Sequence, residues 1–310
     1  MKINTNSNSY TVIYSAILVI AVAALLAFTA NTLKIRQNKN KEIEKKMNIL
    51  RSAGKAGDLE GKDKNTYIEN EYKKYIVDAF LINTKGEKIE GDAFNTNIKE
   101  ELAKPAGDQR LPVFVCNDNG AELYILPVHG KGLWGAIWGY ISLQSDFNTV
   151  FGTTFDHASE TPGLGAEIAT IPFQKQFKNK KIFDGSKFVS VEIIKNGSAP
   201  LTDHSVDGIS GGTITSKALG KMLFNCLLGY QTYFAREKEM KEAAERAKKE
   251  AEERALRQAQ EAEERARLEA EAEKAKKDAA RRRALREAEE AAAAESSETS
   301  TSTSTESQNN

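Results

Sequence analysis

Histidine and cysteine are scarce in this chain, with three of the first and two of the second among 310 residues. The histidines, His129, His157 and His204, are too scattered to complete a metal site, and no cysteine cluster is present to hold an iron–sulfur centre. His129 and His157 lack the acid and nucleophile of a catalytic triad and read as packing or loop residues. Cys116 falls in a strand-like run and Cys226 in a helical stripe, so both are expected as buried small hydrophobes rather than as a disulfide. A G-x-G-x-x-G dinucleotide fingerprint is missing, which argues against oxidation of a nicotinamide cofactor by this chain alone. Neither sign of charge is in excess: 44 basic residues face 44 acidic ones. No global field draws the chain to nucleic acid or to an acidic partner.

What is present divides into unlike segments. Residues 1–10 are short and polar. Residues 11–33, TVIYSAILVIAVAALLAFTANTL, carry no charge and exceed the roughly 20 helical residues that span a bilayer. The run is longer than a signal-peptide core and has no small-residue cleavage site after it, so it reads as a retained transmembrane helix. Residues 34–65 form a basic stalk and linker, in which Ile43, Met47 and Leu50 recur at helical spacing. Residues 66–234 form the folded domain. Its short, turn-linked apolar runs, at 75–82, 111–116, 122–126, 137–143 and 187–194, predict an α+β fold around an antiparallel sheet. Asn117 to Gly120 reads as a four-residue hairpin loop, 173–180 as a short helix after Pro172, and Thr213 to Tyr233 as one closing helix. Trp138 and Tyr140 read as sheet packing. Residues 235–295 are almost wholly Ala, Glu, Lys and Arg, with pairs such as Glu242–Arg246, Glu250–Arg254 and Glu253–Arg257 spaced for a solvated single helix. No apolar heptad seam marks a coiled coil. Residues 296–310 are a low-complexity, disordered tail.

One stretch organises the rest. Asp207 to Ser216 reads D-G-I-S-G-G-T-I-T-S and runs directly into a helical stripe, Ala218, Leu219, Met222, Leu223, Cys226, Leu227 and Tyr230. Ser210 is placed to cap that helix, Gly211 and Gly212 permit close backbone approach, and Thr213 and Thr215 put hydroxyls in its first turn. A helix start with free N–H groups is a seat for a phosphate. On local chemistry alone, an ordinary helix cap, with Asp207 fixing the turn by an Asx hydrogen bond, is the better account.

The D-x-x-S-G-G-T run resembles the flavinylation signature D-x-x-[ST]-G-A-T of the covalent FMN-binding family, with Gly212 where that family usually has Ala. His157 to Gly165 contains E-T-P-G-L-G, which resembles a second segment of the family. Pro127 to Trp134, P-V-H-G-K-G-L-W, resembles a third, found in the C subunits of sodium-translocating NADH:quinone reductases. The resemblance covers roughly residues 10–232 and leaves the charged tail without a role.

It implies FMN covalently joined to Thr213 by a phosphodiester. Glu160, Thr161, Gly163, Leu164, Gly165, Ser210, Gly211, Gly212, Ile214 and Thr215 would surround the cofactor. Asp207 would serve recognition by a flavin transferase that donates FMN from FAD, and Lys131 and Trp134 would lie at an interface or cofactor edge. The implied role is an electron relay in a complex of six subunits. It would take electrons from a membrane iron–sulfur centre and pass them to the FMN of the B subunit, with B, D and E as the nearest partners. The complete complex would oxidise NADH, reduce ubiquinone or menaquinone and export sodium. No metal and no catalytic side chain would belong to this chain. Alternatives are the G subunit of the related ferredoxin:NAD complex and a non-redox membrane-anchored scaffold. Charge bias points the other way from the family on topology: Lys34, Arg36, Lys39 and Lys41 follow the span while Lys2 alone precedes it, which favours a cytoplasmic domain. The resemblance implies a periplasmic one, and that orientation is the expectation adopted.

Overall fold

The computed structural model describes residues 7–56 and 63–302. The rest of the polar amino terminus, of the 34–65 segment and of the 296–310 tail lies outside those residues. The first element, α1 (Asn8–Ser52), is uninterrupted. Ser7 caps it by accepting the Tyr10 N–H at 3.1 Å. No proline or glycine occurs between its ends, so the helix continues from the apolar run through the basic one. Its apolar part has a mean hydropathy of 2.6 and is unburied. It is the one helix among the described residues that is long and apolar enough to cross a membrane. From Ile43 onward the same helix becomes core: Ile43, Met47, Ile49 and Leu50 are buried. Packing therefore begins well ahead of residue 66. Gly54, at φ +68°, ends the helix by letting the Lys55 N–H return to the Leu50 carbonyl at 2.8 Å.

After α2 (Lys64–Tyr75), six antiparallel strands form one sheet. They are β1 (Ile76–Ile82), β2 (Lys88–Ile89), β3 (Leu111–Asp118), β4 (Ala121–Lys131), β5 (Ala136–Leu143) and β6 (Val150–His157), with α3 (Ile98–Ala103) between β2 and β3. Their spatial order is β2-β1-β3-β4-β5-β6. The β3–β4 loop is tighter than the four residues expected. Asn117 pairs with Glu122 and Asp118 with Ala121, leaving Asn119 and Gly120, at φ 54° and 96°, as a two-residue turn of the kind Asn-Gly favours.

Both faces of the sheet are covered, which explains why β3 and β4 read as continuous apolar runs rather than alternating ones. Val113, Val115, Tyr124, Leu126 and Val128 enter the larger core, which also holds Leu219, Met222 and Leu223. Phe114, Cys116, Leu123 and Ile125 face Ile49 and Ala53 at the C-terminal end of α1. β6 gives no clear strand signal because Gly152, Thr153 and Thr154 interrupt it. Gly152 is there because α1 ends on it: a Cβ would lie 2.6 Å from the Ser52 carbonyl oxygen.

Beyond the sheet lie α4 (Ile171–Lys175), shorter than the 173–180 expected, and the small pair β7 (Phe183–Asp184) and β8 (Lys187–Phe188). The strand expected over 187–194 is broken, because Ser190 takes φ 60°. Only β9 (Glu192–Ile194) continues it, pairing in parallel with β10 (Ser205–Asp207). The expected Thr213–Tyr233 helix is likewise two: α5 (Thr213–Leu228) and, after Gly229 and Tyr230, α6 (Gln231–Ser302). Tyr230, Tyr233 and Phe234 are fully buried, and the Tyr230 hydroxyl donates to the Pro112 carbonyl at 2.9 Å.

From Met240 the chain is a unit of its own. Residues 242–293 are helical and exposed. Glu242–Arg246 and Glu250–Arg254 pair at 3.2 and 3.7 Å as expected, whereas Arg257 turns to Glu261 at 3.2 Å rather than to Glu253. The helical backbone continues past 296 to Ser302, where no proline or glycine stops it.

Candidate functional site

The three motif segments, far apart in sequence, meet at one cleft of about 260 Å³. β10 delivers the first. The Gly208 N–H donates to the Ile194 carbonyl at 2.7 Å, extending the β9–β10 pairing, and the Gly212 N–H donates to the Ile209 carbonyl at 3.0 Å to close a tight turn. Gly211 takes φ +75°, and a Cβ on it would lie 2.6 Å from Leu164 Cδ2. α5 then starts at Thr213 with Gly212 as its N-cap and no side chain capping it.

Two expectations about this turn are corrected. Ser210 is too early to cap α5, because the helix begins three residues later. It is exposed and lines a small neighbouring cavity with Lys195 and Lys217 instead. Asp207 makes no local Asx turn, because the strand runs through it. Its carboxylate receives the Gly197 N–H at 3.4 Å, and its backbone is bracketed by the Gln176 amide at 3.0 and 3.5 Å.

The two threonines of T-I-T differ completely. Thr213 is exposed and lines the cleft. Thr215 is only 2 % exposed, and its hydroxyl donates to Glu160 Oε2 at 2.6 Å. Glu160 is itself 4 % exposed. Its Oε1 accepts the Trp134 N–H at 2.9 Å, and the flanking N–H dipoles of Leu133 and Gly135 also favour its charged form. Burial by itself pushes this carboxyl up. The Thr215 hydroxyl and the three loop N–H groups outweigh it and hold the group below the usual carboxylate range. The Glu160 N–H donates to His157 Nδ1 at 3.2 Å, which makes His157 a loop brace.

Thr161, Leu164 and Gly165, then Gly211, Gly212, Ile214 and Thr215, line the cleft together with Trp134. Gly163, at φ +74°, shapes the turn but does not line the cleft. Lys131, at the end of β4, lies elsewhere, lining a separate cavity of about 910 Å³ with His129 and Met222. Burial, and then the nearby Lys99, hold the His129 imidazole below its ordinary range. Leu133 also lines the cleft and escaped the sequence reading; its place beside Trp134 in G-L-W was the available signal. Trp138 is half-buried and Tyr140 buried in β5, as expected of sheet packing, and both cysteines are buried and outside any disulfide.

Chemically, the cleft combines an exposed hydroxyl, an uncapped helix start suited to a phosphate and an apolar rim. Leu133, Trp134, Leu164 and Ile214 are 43, 66, 42 and 59 % exposed, an unusual density of exposed large apolar groups around so small a site. A flat aromatic ring carrying a phosphate tail fits this set: the ring against the rim, the tail at the helix start. Among the described residues no group of His, Cys, Asp and Glu could hold a metal ion.

Comparison with known proteins agrees with this chemistry. Residues 132–228 match the model of the FMN-binding domain. The C subunit of the Na(+)-translocating NADH-quinone reductase of Haemophilus ducreyi is 32 % identical over 236 residues, 70 % of this chain and 89 % of that protein. Its counterpart from Pasteurella multocida is 33 % identical over 234 residues, 70 % of this chain and 88 % of that one. The crystal structure of the Parabacteroides distasonis counterpart aligns with a TM-score of 0.58 and 45 % identity, over 65 % of this chain and 96 % of the other. The Shewanella oneidensis NqrC structure, 24 % identical at a TM-score of 0.54 over 64 % of this chain and 98 % of the other, has the same fold. The α+β architecture, the cleft built from three motifs and these near-full-length relatives together establish that the chain belongs to the family of C subunits of Na(+)-translocating NADH-quinone reductases and contains its FMN-binding domain.

Proposed function

We propose that the chain carries FMN on Thr213 and relays electrons within a sodium-translocating NADH:quinone reductase. The observation that carries this reading is the contrast between the two threonines. Thr213 offers an exposed hydroxyl at an uncapped helix start, while the Thr215 hydroxyl is buried and committed to Glu160. In the attachment step, catalysed by a flavin transferase, Thr213 Oγ1 would form a new P–O bond to the FMN phosphate of FAD. The pyrophosphate bond breaks, AMP leaves and the hydroxyl proton is lost. The first-turn N–H groups of α5 would stabilise the phosphate charge. Gly211 and Gly212 let the backbone approach it, and Asp207, outside the cleft, would serve recognition by the transferase.

Once attached, FMN supplies one-electron redox chemistry that no side chain here possesses. The protein would orient it: Leu133, Trp134, Leu164 and Ile214 offer apolar surface to its ring, the Thr161 hydroxyl a hydrogen bond, and the rim is exposed to partners. Electrons would arrive from a membrane iron–sulfur centre and leave to the FMN of the B subunit, with the domain on the periplasmic face of the inner membrane. Co-expression with a flavin transferase, followed by a denaturing gel, tests the attachment. The wild type and T215S should give a fluorescent band and T213A none. A fluorescent T213A band would refute the assignment.

A further inference from the structure

We propose that Glu160 is a positioning residue, an ionised clamp that assembles the three loops of the site before any flavin is bound. This rests on the reading of the cleft as the FMN site. The donors to its carboxylate come from two segments distant from its own: Thr215 Oγ1 from the first turn of α5 at 2.6 Å, and the Trp134 N–H from the β4–β5 loop at 2.9 Å, with the flanking Leu133 and Gly135 N–H dipoles also favouring the charge. One buried group thus ties the E-T-P-G-L-G, G-K-G-L-W and T-I-T segments together. Two motif glycines exist to admit it. A Cβ on Gly132 would lie 2.4 Å from Glu160 Oε1. A Cβ on Gly165 would lie 2.4 Å from Oε2 and 2.5 Å from Thr215 Oγ1. The clamp fixes the first turn of α5 at Thr215, two residues from the Thr213 hydroxyl, and it fixes Leu133 and Trp134 at the rim through their own backbone. Its charge also has a consequence. A buried carboxylate beside a redox group disfavours adding an electron there, so it lowers the reduction potential.

Amide chemistry separates these two roles. The loop partners can only donate, whereas the Thr215 hydroxyl can donate or accept. A glutamine at 160 can keep its oxygen toward the loop and turn its NH₂ to Thr215. E160Q therefore retains the clamp and removes the charge, while E160A removes both. The first measurement is hydrogen exchange on the full chain in detergent, made without the transferase, so it reads the clamp whether or not Thr213 carries flavin. Losing a charge-assisted hydrogen bond to a buried group should speed exchange at the Trp134 amide by about tenfold or more in E160A, with β3 and β4 unchanged. E160Q should stay near wild type, and T215V should speed exchange at the Ser216 amide, the first bonded one of α5, while sparing Trp134. Should E160A fail to fold, T215V and E160Q decide the matter. Unchanged exchange at Trp134 in a folded E160A, unchanged exchange at Ser216 in T215V, or an E160Q loop as open as that of E160A, overturns the clamp. The second measurement is the FMN midpoint potential of modified E160Q, expected to be more positive than wild type; an equal or lower value overturns the charge role. A wild-type chain lacking flavin on Thr213, with exchange behaving as stated, would instead count against the reading of the cleft and leave the clamp standing.

Discussion

Gly165→Ala is a sharp test of how the site is packed. The added methyl would meet two oxygens already bonded to each other, Glu160 Oε2 at 2.4 Å and Thr215 Oγ1 at 2.5 Å. Either their 2.6 Å hydrogen bond breaks or the loop is displaced. Losing a hydrogen bond to a charged group costs about 1.5–3 kcal/mol, and overfilling a packed position costs about 1–3 kcal/mol. The two are alternative ways of relaxing the same clash, and at contacts this short we expect the upper part of either range, about 2–3 kcal/mol in total. For a domain of this size that lowers Tm by roughly 4–12 °C. Gly163→Ala is the control. Gly163 has φ +74° and open space around it, so alanine there incurs only left-handed backbone strain of about 1–2 kcal/mol. Both variants share the same loss of unfolded-state freedom, so their difference isolates the clash. The assay is thermal unfolding of the full chain in detergent, followed by near-ultraviolet circular dichroism, which reports tertiary packing rather than the long helices. A G165A Tm within about 1 °C of wild type, or above that of G163A, would refute the packing argument.

Three further outcomes follow from other parts of the molecule. The Glu160 carboxyl is held below the usual range, so its stabilising contribution is complete above the unfolded value and is lost as pH falls through the folded one; acid titration should therefore destabilise wild type more than E160Q, and parallel curves would contradict this. The exposed helix beyond Met240 carries four-apart ion pairs such as Glu242–Arg246, Glu245–Lys249 and Glu273–Lys277; at about 0.3–0.5 kcal/mol each and screened by salt, they predict that a peptide of residues 240–293 is a monomeric helix whose circular dichroism signal falls in 1 M NaCl, with concentration-dependent helicity as the contrary result. Both native cysteines are buried, so K187C adds a single exposed thiol; a membrane-impermeant maleimide should label it in spheroplasts if the domain is periplasmic, and labelling only after lysis would reverse the topology.

Much of this was legible in the sequence because the signals were local. The apolar run of α1, the hairpin joining β3 and β4 (though not its two-residue turn) and the apolar runs of those strands follow from residue type and spacing. The three motifs stand out as Gly-rich breaks between apolar runs, and ten of the residues singled out there line the cleft. What remained hidden depends on contacts between distant segments. Nothing in V-F-G-T-T-F-D-H says that Gly152 makes room for the end of α1. Ser190 breaks a promising strand by taking a positive φ that no neighbour in sequence demands. Lys131 and Trp134 sit three residues apart in one motif, yet the end of β4 sends them to different cavities. Glu160 was legible as a member of the site but not as its clamp, since its partners lie 26 and 55 residues away.

The central claim is that Thr213 bears the flavin. Mass spectrometry of the peptide containing Thr213, from native protein made alongside a flavin transferase, tests it most directly. The account predicts that this peptide carries the mass of FMN less one water, with fragmentation placing it on Thr213 and leaving Thr215 unmodified. An unmodified peptide, or one bearing the added mass on Thr215, would contradict it.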